Sequence, residues 1–331
     1  MSDLIERPNR ASIARAAERL RAGELVAFPT ETVYGLGADA SRAEAVRKIF
    51  SVKGRPADHP VIVHLYDTAK LARWTRSVPD GARRLAAAFW PGPLTLILPR
   101  AANVPDIVTG GQDSVGIRVP SHPVARALLA EFAGGIAAPS ANRFGRISST
   151  TAQHVVDDLG DAVSMVLDGG PCAVGIESTI VGFTGAEAAL LRPGAISIAD
   201  LERVLGHAVR GQTTGAPRAP GSLASHYAPK TPATLVAPDV LHAELEQLAG
   251  RDEAIAVLAR TVAQPPELSD MWIAAPLDAA AYAHDLYANL RALDDAGADA
   301  ILIEAVPPDG EWLAVRDRLE RATRGEDDDR D

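Results

Sequence analysis

The chain has 331 residues, of which 47% are hydrophobic and 23% charged, with a formal net charge of −10. That length exceeds what one core usually organises, so two domains are expected. The longest apolar runs fall far short of the roughly 18 residues a membrane span needs. The acid-bearing start, "MSDLIERPNR", lacks an apolar signal region, so a cytoplasmic location is expected, and a lone cysteine, Cys172, excludes an internal disulfide or a cysteine metal cluster.

In chain order, short β-rich runs alternate with amphipathic stretches. "ELVAFPT", "PVIVHL", "PLTLILP", "VGIRVP", "GGIAAPS", "VSMVLDG" and "STIVGF" read as buried or half-buried strands. Between them "SRAEAVRKIFSVK", "DGARRLAAAFW", "HPVARALLAEFA" and "TTAQHVVDDLG" carry helical periodicity, with Ser41 and Asp80 as N-cap candidates and Gly160 as a C-cap. These alternations predict a mixed α/β domain over residues 1–206. The segment 207–231 then loses all periodicity and fills with Gly, Pro, Ser and Thr, which marks a functional loop or linker. From 232 to 325 strands and helices alternate again, predicting a smaller α/β domain, and 326–331 is an acidic tail. The charge is uneven. Residues 1–210 hold 23 Lys+Arg against 21 Asp+Glu, whereas 211–331 hold 10 against 22. Residues 41–146 alone come to +8, a bias that suits an anionic ligand such as nucleotide phosphates or RNA.

Glycine-rich phosphate motifs are absent, so any phosphate must be held by side chains and irregular loops. Four stretches at strand edges offer those side chains. "FPTETVYGLG" places Thr30, Glu31 and Thr32 after a strand, and by itself reads as a structural turn. "SVKGRPADHP" sets Lys53 and Arg55 one residue apart in what reads as a proline-stiffened loop, a compact point charge beside a planar fork. His64 follows on the next strand, where a lone histidine is ordinarily core. "SVGIRVPSHP" buries Arg118 in an apolar strand, which demands either a protein carboxylate or a substrate carboxylate. In "APSANRFGRISST", Ser140 and Asn142 fall two apart and would share one side of an extended chain.

Together "FPTETVYGLG", "KGRP…HPVIVHL", "WPGPLT", "GIRVP" and "PSAN" resemble the YrdC-like domain, with its Lys-x-Arg and Ser-x-Asn pairs at Lys53/Arg55 and Ser140/Asn142. With "APGSLASHYAPKTP" and the second α/β region, the chain resembles the long, two-domain threonylcarbamoyl-AMP synthase family. The resemblance implies a YrdC-like twisted mixed sheet with helices, plus a smaller Rossmann-like C-terminal domain. It also implies a nucleotidyltransferase that makes threonylcarbamoyl-AMP and pyrophosphate from L-threonine, bicarbonate and ATP. The product would pass to a separate transferase that modifies the tRNA adenosine beside the anticodon. Carried over by motif, Lys53 and Arg55 are catalytic, and Thr32, His64, Arg118, Ala138 and Ser178 hold threonine. Arg55, His59, Ser114, Ser140, Asn142, Ser148, Arg192 and Tyr227 hold ATP, His59 standing where many relatives have asparagine. Mg²⁺ would arrive with ATP, because no dedicated carboxylate cage is visible, and the 207–231 linker would act as a lid. The competing reading is an RNA-binding or tRNA maturation module with incidental ATP binding. Only 5% of residues are aromatic and the second domain is acidic, which leaves weak RNA binding as the most that reading keeps.

Overall fold

Val-, Ile- and Leu-rich runs bounded by turn formers become strands, and the amphipathic runs between them become the helices that cover the sheet. The structure, a computed structural model, describes residues 4–184, 187–211, 217–221, 226–249, 253–265 and 271–324. In chain order its first part contains β1 Ile5–Glu6, α1 Arg10–Arg21, β2 Val26–Phe28, β3 Gly35–Asp39, α2 Ala43–Lys53 and β4 Ile62–His64. Then come α3 Leu71–Trp74, α4 Asp80–Phe89, β5 Leu94–Pro99, α5 Asp106–Thr109, β6 Ser114–Arg118 and α6 Pro123–Phe132. It ends with β7 Ile136–Ala137, α7 Ala152–Leu159, β8 Met165–Leu167, β9 Thr179–Thr184, β10 Glu187–Arg192 and α8 Ile198–Leu205. The described strands form one ten-stranded mixed sheet in the order β1-β8-β2-β3-β7-β4-β6-β5-β9-β10.

The two faces of this sheet are covered differently. On one, Ala45, Val46, Ile49 and Phe50 of α2 and Leu85 of α4 join Val63, Leu96 and Ile117 in the larger core. On the other, α1 and α6 pack Leu20, Leu128 and Leu129 against Val26, Phe28 and Ile136. Each such fully buried side chain contributes about 1.5–3 kcal/mol. Further along this second face, Ile62, Ile97, Ile180 and Leu191 are covered by Ala219. The site lies on this face.

Local chemistry sets the helix ends. The Asn9 side chain accepts from the Ala11 and Ser12 N–H groups while Ser12 Oγ returns a bond to the Asn9 N–H, a capping box that starts α1. Ser41 is not a cap: its N–H and hydroxyl both go to Asp39 Oδ1, and α2 begins after Arg42. Asp80 is the first residue inside α4, with Pro79 at the cap, whereas Gly160 does end α7. Gly54, at φ +67°, ends α2 in a left-handed conformation that glycine adopts without strain. Lys53 therefore closes a helix, and the loop begins only after it.

The chain divides into two units, Met1–Phe144 with Ser148–Ser222, and Gly145–Ile147 with Leu223–Asp331. The 207–231 segment is thus shared between them, because its described parts pack on different neighbours. In the second unit β11 Ala233–Val236, α9 Leu241–Ala249, β12 Ile255–Ala259, β13 Trp272–Ala274, α10 Ala279–Asp294, β14 Ala300–Glu304 and α11 Leu313–Ala322 follow in order. Its four described strands are all parallel, ordered β11-β14-β12-β13. The fully buried Glu304 carboxylate caps the turn after β12 by accepting the N–H groups of Arg260, Thr261 and Val262. Residues 326–331, expected as an acidic tail, lie outside the described residues.

Candidate active site

Strand register builds the centre of the site. Ile136, His64, Arg118, Thr95, Ile180 and Arg192 are successive partners across β7, β4, β6, β5, β9 and β10. Side chains in one cross-strand row leave the sheet on the same side. Ile136 and Ile180 belong to the apolar clusters of the second face, so His64, Arg118, Thr95 and Arg192 form a polar band on that face.

Arg118, 4% exposed, is tied to the loop that follows β2. Its Nη1 donates to Thr32 Oγ1 at 2.8 Å, its Nε to Gly92 O at 3.4 Å, and its Nη2 lies 2.7 Å from Glu31 Oε1. Of the two partners the sequence left open, the structure supplies the protein carboxylate. Glu31 Oε2 accepts the Ser121 N–H at 3.0 Å. Burial pushes the Glu31 carboxyl up, but the Arg118 charge and these hydrogen bonds outweigh it and hold it below its usual range. Thr32 is fixed in turn by Thr30, whose hydroxyl is 2.8 Å away and also donates to Val33 O. His64 stands edge-on to Phe28, with ring centroids 6.1 Å apart. Burial first, then the Arg118 charge, lowers its pKa to about 3, so it is neutral at physiological pH.

The Lys-x-Arg pair differs from its expected form. Lys53 ends a helix and Arg55 follows in the loop, yet neither reaches out into solvent: Lys53 is 3% and Arg55 8% exposed. The reason is that Lys53 ends a helix packed on the core, so its side chain runs inward. Its Nζ donates to Ser140 O at 2.7 Å and to Asn142 O, and its own carbonyl accepts the Phe144 N–H. Burial, then the Arg55 charge, depresses the Lys53 pKa well below its usual value, while Asp158 and Glu177 pull it back up. Ser140 and Asn142 do not share one side of an extended strand either. The chain bends at Ala141 and Asn142, and it is the carbonyls of Ser140 and Asn142 that converge, on Lys53. The same loop is held by the Ala141 N–H to Tyr34 O and by Ser149 Oγ to Ala141 O. Arg55 donates to Pro60 O at 2.9 Å and lies 5.5 Å from the Phe144 ring, which the half-buried His59 ring also meets, near perpendicular and with centroids 5.5 Å apart. Burial and the Arg55 charge lower the His59 pKa. Ser148 donates to Glu177 Oε1 at 2.6 Å.

Arg192 reads the neighbouring turn: Nε and Nη2 donate to Ser178 O, and Nη1 to Pro220 O at 2.8 Å. Ser178 Oγ meets Thr95 Oγ1 at 2.7 Å, which links it to the polar band. Pro220 belongs to a strap, Pro217–Gly221, that lies on this face through Ala219 and is pinned by Arg218 to Asp58 at 2.9 Å. Gln112 exchanges two bonds with the Arg218 backbone. Ser114 opens β6 four residues before Arg118, on the same side and about 13 Å away. Ala138, buried, donates its N–H to Ile62 O beside the band. Tyr227 belongs to the second unit, where its ring meets those of His226 and Tyr287 and the Arg318 guanidinium.

A family model described as telomere recombination (Sua5, YciO, YrdC) matches residues 18–194, and one for the threonylcarbamoyl-AMP synthase C-terminal domain matches residues 196–323. Threonylcarbamoyl-AMP synthases of Pyrococcus abyssi and Bacillus subtilis are 38% and 39% identical to this chain. Each alignment covers 96% of this chain, with 96% and 94% of the respective relatives. The chain belongs to the threonylcarbamoyl-AMP synthase family. The crystal structure of P. abyssi Sua5 complexed with L-threonine matches with a TM-score of 0.88 at 37% identity, over 97% of this chain and 96% of that one.

In this member of the synthase family the first unit brings Thr32, His64, Arg118, Ser178 and Arg192 onto one face, and Lys53 joins Ser140 to Asn142 through backbone. Two acidic groups escaped the sequence reading: Glu31, seen only as part of a turn, and Glu177, inside "GIEST". Both are buried, Glu31 in an ion pair with Arg118 and Glu177 accepting a hydrogen bond from Ser148. The signal was chemical, since a carboxylate inside an otherwise apolar or small-residue stretch needs a partner.

Proposed function

We propose that the chain is an L-threonylcarbamoyladenylate synthase, a nucleotidyltransferase acting on L-threonine, bicarbonate and ATP. The observation that carries this reading is the polar band of His64, Arg118 and Thr95, with Thr32 and Ser178 bonded to it, inside a chain that matches such synthases almost end to end. The threonine amine condenses with bicarbonate to a carbamate, releasing water. A carbamate oxygen then attacks the α-phosphorus of ATP, forming the mixed anhydride as pyrophosphate leaves. Two anions must meet, so the protein's part is to neutralise and orient them. Arg118 takes the threonine carboxylate, while Thr32, Ser178 and neutral His64 address its polar groups beside Ala138. Arg55, His59, Ser114, Ser140, Asn142, Ser148 and Arg192 form the nucleotide's surroundings. Lys53 acts mainly as the post on which the Ser140–Asn142 loop is built. The Pro217–Gly221 strap covers the apolar part of this face and helps to keep water from the adenylate.

Among the described residues no three His, Cys, Asp or Glu side chains gather as a metal set. Mg²⁺ belongs with the ATP phosphates, as part of the substrate. The product is handed to a transferase that modifies tRNA. The test is incubation with ATP, bicarbonate and radiolabelled L-threonine. A labelled adenylate that requires all three is the expected product, and folded protein that forms none overturns the reading.

A further inference from the structure

Arg118 carries five N–H groups: Nε donates to Gly92 O and Nη1 to Thr32 Oγ1, while Nη2 is held by charge alone, 2.7 Å from Glu31 Oε1. N–H groups on both terminal nitrogens are thus left without a hydrogen bond among the described residues, although Arg118 is 4% exposed. Two adjacent guanidinium donors match the two oxygens of a carboxylate, and buried donors left empty are costly. Glu31 fixes how the guanidinium is presented. Both its oxygens are fixed, one on Arg118 and one on the Ser121 N–H, and its backbone carbonyl accepts the Val174 N–H at 2.7 Å. It is a bracket between the β2 loop and the turn after β6, closing on the guanidinium.

Glu31 also sets the charge. Arg118 and Glu31 together sum to zero and neutral His64 adds nothing, so this end of the polar band carries no net charge, Arg192 standing three strands away on β10. A pocket of that kind receives a ligand of zero net charge at a lower electrostatic cost than an anion. We infer that Glu31 is the positioning and charge-setting residue of the amino-acid pocket: it holds Arg118 with N–H groups of both terminal nitrogens open to a carboxylate, and it makes the pocket select a zwitterion over a simple acid. This rests on the threonine reading above and extends it to a residue outside the substrate contacts.

The test uses the full chain and calorimetric titration with L-threonine and with 3-hydroxybutyrate, which is threonine without its amine. The parent is expected to bind threonine at least about tenfold more tightly than 3-hydroxybutyrate. Glu31→Gln keeps the shape and removes the charge, and should shift the ratio of the two dissociation constants by tenfold or more toward 3-hydroxybutyrate, the scale of losing one nearby charge. Glu31→Asp keeps the charge but not the reach, so threonine affinity should fall while the preference for it persists. A parent that binds both ligands equally overturns the inference, as does a folded Glu31→Gln protein with the parental ratio. Should Glu31→Gln fail to fold, Glu31→Asp decides, and parental threonine affinity in that variant overturns the positioning role. A parent that binds threonine and makes the adenylate while the ratio stays fixed sinks this inference alone. A parent that neither binds threonine nor makes product sinks the functional reading and this one with it.

Discussion

His64 should make the protein acid-sensitive by an amount that can be isolated. It is 3% exposed, and its pKa falls from an ordinary 6.5 to about 3, first because burial disfavours the imidazolium and then because Arg118 is beside it. Between those two values the unfolded chain binds the proton and the folded chain does not, so stability rises with pH across that window. The contribution is fully present above about pH 6.5 and is lost progressively as pH falls toward 3. At pH 5 the unfolded histidine is some 1.5 pH units below its midpoint while the folded one is still unprotonated. That costs about 2 kcal/mol relative to pH 8, using 1.36 kcal/mol per unit. The figure barely changes if the folded pKa were one unit higher, because at pH 5 it is governed by the unfolded value. Glu31 and Glu304, whose carboxyls are held low in the fold, also lose stability as pH falls, so the raw pH profile is a sum. Urea unfolding of the parent and of His64→Gln at pH 8 and pH 5 separates them, since the carboxylate part is common to both. The parent's loss should exceed the variant's by about 2 kcal/mol. Equal losses would mean that His64 is protonated in the fold or hydrated, and the argument would fail.

Lys53→Met strips the donor from the Ser140 and Asn142 carbonyls. Turnover in the labelled-threonine assay should drop about 10²-fold, the scale of misplacing a positioning group, with the circular dichroism spectrum retained; near-parental turnover would show that the loop needs no ammonium. Arg218→Ala removes an exposed ion pair to Asp58 and a bond to Gly110 O. Such a pair is worth at most about 1 kcal/mol, so cleavage within 206–232 by limited proteolysis should quicken by up to about fivefold; an unchanged rate would show that the strap is held by Ala219 and Gln112 alone.

The strands were legible because they are short runs of β-branched and leucine residues closed by Gly, Pro or Asp, as "PLTLILP" and "STIVGF" show. β3 was not, since "GLGAD" hides its period behind two glycines, and α1 was missed because alanines carry much of its buried face. The Lys-x-Arg and Ser-x-Asn motifs identified the family and the neighbourhood of the site. They did not reveal that Lys53 and Arg55 are buried, because a helix end and a loop tip read alike around "KGRP". Nor did they give Lys53 its partners, which are backbone atoms and leave no trace in residue type.

What the sequence by itself determined is therefore local and chemical: two α/β regions, a proline-rich join, and an inventory of cations, hydroxyls and one strand arginine that needed an anion. Which anion was a tertiary decision. Glu31 and Arg118 stand 87 residues apart, and they meet because β6 pairs with β4 in a register that points Arg118 at the loop after β2. The same register lines His64, Thr95 and Arg192 beside it. A slip of one residue would send every one of these side chains to the opposite face. Register is fixed by the long-range burial of both faces of the sheet, and that information lies in no single stretch of the chain.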